Sequence, residues 1–508
     1  MRDLRETCLG QLQAYIPAAM AWTADLGNVT LGELSASWRK ACEDAAPQAQ
    51  AASVQDGEDL VALASKQAED ILSPEHGQRL ARALEEHFCA LTASHLGPDF
   101  HPEFIQGDLV FALGAIRRDV PAILALAWGC VSGMNAGYPR GLLCGRGRPD
   151  SVLPGRLPVL PNKHRQTPLC LREAMQDGPP GLLLSRLSLK SPDSGPLTPA
   201  EERAARHLLA TVYLHPQVLA QTTFSAQATV MNRLIWEQLF TPAMAVPPLI
   251  HLDMTRISLE LIQADLKQRH SLLACMLEPG FPELLLEELN GVRGCWEADP
   301  TGESGLDPLK GSFLFWGIDR HQHLTPLMPD EHCRRLVSAR SEFAALPLEK
   351  EALSEALAAR TILPGLFLSF AVLALARGLH CCGGVYQIAY LEEMRLGLGR
   401  ALLRQGENSL AETIARSRSG VMSTGYLPLR LRSGECSYAA STLDLLAAGG
   451  IDAALLDRLL ALPAAAAFEA ALAYHYEDIL PPEERRPGWL AALASEAGIF
   501  LEPGGNID

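Results

Sequence analysis

Positive charge is what this chain is short of. It carries 43 Lys and Arg against 59 Asp and Glu, a formal net charge of −16, whereas phosphate contact needs clustered cations that release counterions. A nucleic-acid partner is excluded on that ground. Ligand-spaced cysteines are missing as well. The 12 cysteines, at 8, 42, 89, 130, 144, 170, 275, 295, 333, 381, 382 and 436, include no CxxC pair. That distribution predicts reduced thiols rather than a disulfide framework, with no structural zinc and no metal cofactor. No apolar run reaches the roughly 20 residues of a membrane span. The one membrane-like run, Ile362–Ala376, contains Pro364 and Gly365 and reads as a core helix. The start, MRDLRETCLGQLQAY, is broken by Asp3, Arg5 and Glu6, so no export signal is read and a cytoplasmic location is expected. Internal repeats are absent.

What the chain has is apolar residues, 48% of 508, ample for buried cores. The pattern divides it into an N-terminal helical segment (1–90), a Rossmann-like α/β core (91–345) and a C-terminal helical part (346–508) that packs on the core. Leu60–Leu72 and Leu80–Leu91 have helical spacing, with Ser73-Pro74-Glu75 starting the second, and Glu43–Asp59 reads as a mobile connection. From residue 91 the grammar becomes helix followed by short apolar run. Phe104–Ile116 is a helix, and Val120–Trp128 (VPAILALAW) has the unbroken apolarity of a central parallel strand buried on both faces. Ala245–Leu252 is a second strand, with Asp253-Met254-Thr255 opening the helix Ile257–Gln268. Ser312–Ile318 and Leu324–Met328 form a hairpin around Asp319–His323, Gly145–Pro168 and Gln176–Pro199 are extended or looped, and Thr442–Tyr474 is packed helices.

The stretch Gly378–Met394 (GLHCCGGVYQIAYLEEM) sets two cysteines and a glycine pair between an apolar run and a polar helix start, in the manner of a loop at a site. Buried inert thiols are the bland reading of His380-Cys381-Cys382. His95 to Glu103 places two His and two carboxylates within nine residues, types suited to acid–base work or metal ligation. Capping and loop hydrogen bonds explain Asp99 and Glu103 equally well. Gly129–Gly141 follows the first strand, where ligands of open parallel sheets bind, so Ser132, Asn135, Tyr138 and Arg140 are substrate contacts or else ordinary turn residues. Lys163 and Arg165 suit a carboxylate or phosphate, against the alternative of a solvated face. The HxH at His321–His323, with His332 and Cys333 beyond, is a metal-ligand pattern that exposed hairpin tips also collect.

Three segments together resemble one family. Leu91–Ala115 (LTASHLGPDFHPEFIQGDLVFALGA) resembles the early motif of the cysteine-adding enzymes of bacillithiol biosynthesis, and Val120–Asn135 stands where that family has its first apolar strand and active-site loop. Cys382–Tyr390 (CGGVYQIAY) is similar to its Gly-Gly-Pro-x-Glu-x-Ala-Tyr motif, with Val385 in place of the proline and Gln387 in place of the glutamate. The resemblance implies a Rossmann-like parallel sheet with helical additions, and a small-molecule ligase or transferase acting on a polar metabolite or amino acid.

His95, Asp253 and Gln387 are the catalytic candidates; His101, Ser132, Asn135, Tyr138, Arg140, Lys163, Arg165, Gly383, Gly384 and Tyr390 are the substrate-binding candidates. His95, Asn135 and Gln387 are expected to converge on one pocket. A nucleotide cofactor and a homodimer are left open; no membrane partner is expected. Two other classes compete: a catalytically silent relative that binds a metabolite or partner, and a metal-dependent hydrolase built on His95, Asp99, His101 and Glu103.

Overall fold

The apolar run after residue 120 becomes a five-residue strand, Ile123–Ala127, every residue of which is buried. Ile123, Ala125 and Ala127 enter one apolar cluster and Leu124 and Leu126 another, the period-2 alternation of a strand covered on both faces. In chain order the sheet consists of β1 (Cys89–Leu91), β2 (Ile123–Ala127), β3 (Leu249–Asp253), β4 (His380–Gly383) and the short β5 (Val421–Met422). Across the sheet they run β5-β4-β1-β2-β3, all parallel. The fold is therefore α/β, with a Rossmann-like core flanked by helices. The computed structural model of the protein describes residues 2–24, 26–27, 29–116, 118, 120–135, 141–147, 151–160, 165–189, 192, 195–297, 311–338, 343–417, 421–422, 424–480 and 482–502.

Leu31, Leu34 and Trp38 of the Leu31–Ala52 helix and Ile105 and Leu109 of the Pro102–Ala112 helix cover one face of the sheet. Leu60 of the Glu58–Ile71 helix and Ile257 and Leu261 of the Met254–Lys267 helix cover the other. No helix of the described residues is long and apolar enough to cross a membrane.

Several local expectations need correction. Glu43–Ala52 continues the helix from Leu31 and is not a loose connection. Ile362–Ala376 is not one helix: Ile362–Pro364 pairs antiparallel with Phe315–Gly317, and helix begins only after Gly365, at Leu366. Pro364 and Gly365 break it there. Gly378–Met394 is a strand and a helix joined at Gly384 rather than a loop. The two Pro/Gly-rich passages hold regular structure, a strand at Pro154–Pro158 paired with Gly141–Gly147 and a helix at Gly178–Ser185. The second core strand starts at Leu249, because Pro247 and Pro248 have no N–H to give a ladder. The sheet also draws β4 and β5 from beyond residue 345, so the C-terminal part supplies strands as well as helices.

Candidate functional site

β1 lies where the strand order reverses: the chain leaves it toward β2 on one side, and its other neighbour, β4, arrives late in the sequence. In open parallel sheets the crevice beyond the carboxyl ends at such a point is where ligands bind. A cavity of about 540 Å³ opens there, within the range that holds a small metabolite. His95, His101, Asn135, Gly384, Gln387 and Tyr390 all line it.

The segment after β1 is shaped by specific hydrogen bonds. His95 pairs with Trp128 in parallel fashion, extending the β1–β2 ladder, with Trp128 N–H donating to Ser94 O at 2.8 Å and Leu96 N–H to Trp128 O at 3.0 Å. Asn232 then clamps the turn, accepting from Asp99 N–H at 2.8 Å and donating to Gly97 O at 2.9 Å. His101 caps the Pro102–Ala112 helix, its Nδ1 accepting from Glu103 N–H at 3.4 Å. Phe104 packs on both imidazoles, 5.5 Å from His95 and 5.0 Å from His101 between ring centroids.

The opposite wall is the start of the Val385–Gln405 helix. Its first turn has no acidic residue, so the positive end of the helix dipole points at the cavity with no carboxylate of its own turn against it. Gln387 folds back over the strand end and exchanges hydrogen bonds with Thr92. That fold needs the glycine before it: a Cβ on Gly383 would meet the Gln387 amide carbon at 2.0 Å. Gly383 thus makes room for a lining residue and is not itself part of the lining.

Burial sets the protonation of the wall. It pushes His95 down to about 4 against a hydrogen bond that its ring donates to Asn135, and His101 down to about 4 with help from His95 and Arg156. It pushes His475 down to about 4 against the charge of Asp478. Burial raises Glu103 to about 7, and Asp478 adds to the rise. Near neutral pH the cavity therefore presents neutral imidazoles beside a carboxyl poised to give or take a proton. Arg293 lies 3.6 Å over the Tyr386 ring, and Tyr386 hydrogen-bonds Asp478. Arg485 is fixed by Glu477, at 3.2 Å to its carboxylate and 2.7 Å to its carbonyl oxygen.

Arg293, Tyr386, His475 and Asp478 line the cavity, and none was singled out from the sequence. The run Tyr474–Asp478 (YHYED) does interrupt an Ala/Leu-rich stretch, and that break in composition marks it. Other candidates lie elsewhere. Asp253 is outside the lining and caps the Met254–Lys267 helix, accepting from Thr255 N–H at 3.0 Å and Arg256 N–H at 3.3 Å. Ser132 bridges to Pro168 and accepts from Met134 N–H at 3.3 Å. Arg165 is exposed and away from the cavity. Tyr138, Arg140 and Lys163 lie outside the described residues.

Asp99 turns from the cavity into the interior, where a carboxylate oxygen of Asp99, one of Asp108 and a ring nitrogen of His251 lie within 4.8 Å of one another. His251 Nε2 and Asp108 Oδ2 are 2.9 Å apart. Burial and the neighbouring Asp108 raise Asp99 well above the carboxylate range, and burial raises Asp108 to about 7. Like charges this close do not both ionise, so the pair holds a proton. Among the described residues, no grouping of metal-ligating side chains includes His95, His101 or Glu103. No protein-family model, no curated protein and no solved structure matches the chain.

Proposed function

We propose that the protein is an enzyme that joins or transfers a small, polar, anionic metabolite of the amino-acid class in the cavity at the carboxyl edge of the sheet. The observation that carries this reading is a carboxyl raised to about 7, Glu103, sharing one cavity with three imidazoles held neutral, His95, His101 and His475. A joining reaction needs the attacking amine or hydroxyl to lose a proton and the departing group to gain one. Neutral His95, oriented by Asn135, suits the first task, and Glu103 suits the second. The helix start at Val385 and the cation of Arg293 favour a carboxylate on the substrate. The resemblance of Leu91–Ala115 and Cys382–Tyr390 to the bacillithiol cysteine-adding enzymes supports the same reaction class, and both segments contribute to this cavity. The hydrolase alternative loses support because Asp99 points away from the other three residues of its proposed ligand set.

The test is a thermal-shift screen of amino acids, di- and tricarboxylates and nucleotides, followed by turnover assays on the binders. Glu103→Gln and His95→Ala are expected to keep the fold and bind ligand while losing turnover at least about 100-fold, the usual worth of a general acid or base. Binding without turnover in the wild type assigns the silent reading instead.

A further inference from the structure

Behind the cavity, three metal-ligating side chains meet on one face of the sheet, and a fourth, Cys89, touches two of them. β1 and β4 pair in parallel with Cys89 opposite His380 and Leu91 opposite Cys382. Residues two apart on a strand share a face, so Cys89, His380 and Cys382 project to the same side. Cys382 enters the apolar cluster that also holds Trp38, and Cys89 packs against it. The Leu31–Ala52 helix covers this face and adds Cys42. Cys42 Sγ, a ring nitrogen of His380 and Cys382 Sγ all lie within 4.8 Å of one another, and all three residues are buried. The Cys89 thiol hydrogen-bonds both Cys42 and Cys382, which also hydrogen-bond each other.

This is the donor chemistry of a soft, tetrahedral site. Zinc holds thiolates at about 2.3 Å, which puts neighbouring sulfurs about 3.8 Å apart, the same spacing as a thiol–thiol contact. Three thiolates and one imidazole around a divalent ion leave one net negative charge. Arg39, one helical turn before Cys42 and only 7% exposed, interacts with the charges of Cys89 and Cys42, and its Nε has no hydrogen-bond partner among the described residues. A buried cation beside a singly negative cluster is the expected compensation.

We propose that Cys42, Cys89, His380 and Cys382 form a structural zinc site of the Cys3His type that fastens the Leu31–Ala52 helix to the two central strands. Linear spacing gives no hint of it, because parallel pairing rather than a local loop brings the ligands together. Cys382 O accepts from Thr92 N–H at 2.8 Å, so the site also braces the strand ends from which Thr92 and Gln387 reach the cavity.

The full chain, produced with zinc supplied and purified without chelator, should carry one zinc per chain by elemental analysis. Cobalt in its place should give thiolate-to-metal charge transfer and the strong visible bands of a tetrahedral ion, a readout that needs no variant. Cys42→Ser and Cys382→Ser should lose the metal, whereas Asp99→Asn, in the separate carboxyl pocket, should keep it. Wild-type protein that takes up neither zinc nor cobalt overturns the proposal, as do metal retained by both serine variants, metal lost in Asp99→Asn with the serine variants intact, or a disulfide among these cysteines found by mass spectrometry.

Discussion

Gln387 and Thr92 stand 295 positions apart, yet the Gln387 amide donates to Thr92 Oγ1 at 2.7 Å and the same hydroxyl donates back to Oε1 at 3.1 Å. Both residues are buried at the edge of the cavity. Gln387→Ala leaves the Thr92 hydroxyl without this partner and should cost about 1–3 kcal/mol in urea denaturation. Gly383→Ala should act on the same bond from behind, because the new methyl displaces the flexible amide end of Gln387. Both variants should weaken binding of the cavity ligand to a similar extent, and a Gly383→Ala protein with unchanged affinity would count against the role given to Gln387.

The raised Glu103 carboxyl makes a signed prediction. Its folded value, about 7, lies above its ordinary 4.5, so the native chain binds more protons than the unfolded chain between those values. The stability it contributes is complete below the lower value and is lost as pH rises through the upper one. Glu103→Gln has no such loss. The urea midpoint of the variant relative to wild type should therefore increase from about pH 5 to about pH 8. The three histidines, lowered to about 4, contribute in the opposite sense but cancel in this comparison. A difference that stays flat or falls with pH contradicts the raised carboxyl.

Asp253 is a cap, and the distinction from a catalytic role is measurable. Asp253→Ala should cost about 0.5–2 kcal/mol, with Asn recovering most of it. Neither substitution should alter ligand affinity. A large loss of turnover in the Asn variant, with stability intact, would return Asp253 to the active groups.

Arg377 ends the apolar stretch that looks most like a membrane segment. Its guanidinium donates to both oxygens of Asp59, at 2.8 and 2.7 Å, and to both of Asp265, at 3.2 and 2.7 Å. The Arg377 and Asp265 side chains are 0% exposed. Arg377→Met strands a buried carboxylate and should destabilise by about 3–5 kcal/mol, and adding Asp265→Leu should restore part of the loss. Chemical denaturation of the single and double variants checks both.

The sequence was readable where one segment carries its own constraint. Val120–Trp128 needs burial on both faces wherever it sits, and Asp253-Met254-Thr255 starts a helix by local capping. It was unreadable where a partner far along the chain decides the outcome. Ile362–Pro364 is a strand because Phe315–Gly317 lies beside it, and nothing within the apolar run signals that pairing. The same limit applies to the cavity. His95, Asn135 and Gln387 stood out as polar residues in site-like segments, but His475 and Asp478 sit in a helix whose approach is nearly all alanine and leucine, and only the fold brings them to the cavity and Asp478 to Glu103. Asp253 shows the converse case, since a residue read as a catalytic candidate caps a helix outside the cavity lining.

The strand order has a consequence for synthesis. β1 sits between β2 and β4, and Thr92 finds Cys382 across 290 positions. On a ribosome adding about 5–20 residues per second, that interval lasts on the order of 15–60 s. Throughout it the emerging chain carries β1 with its β4-facing edge unpaired, an edge of the kind that recruits other strands. Arg485, still further along, then completes the wall around the cavity. The centre of the sheet is thus among the first parts made and the last to close, so chaperone demand and misassembly during production should concentrate on that edge.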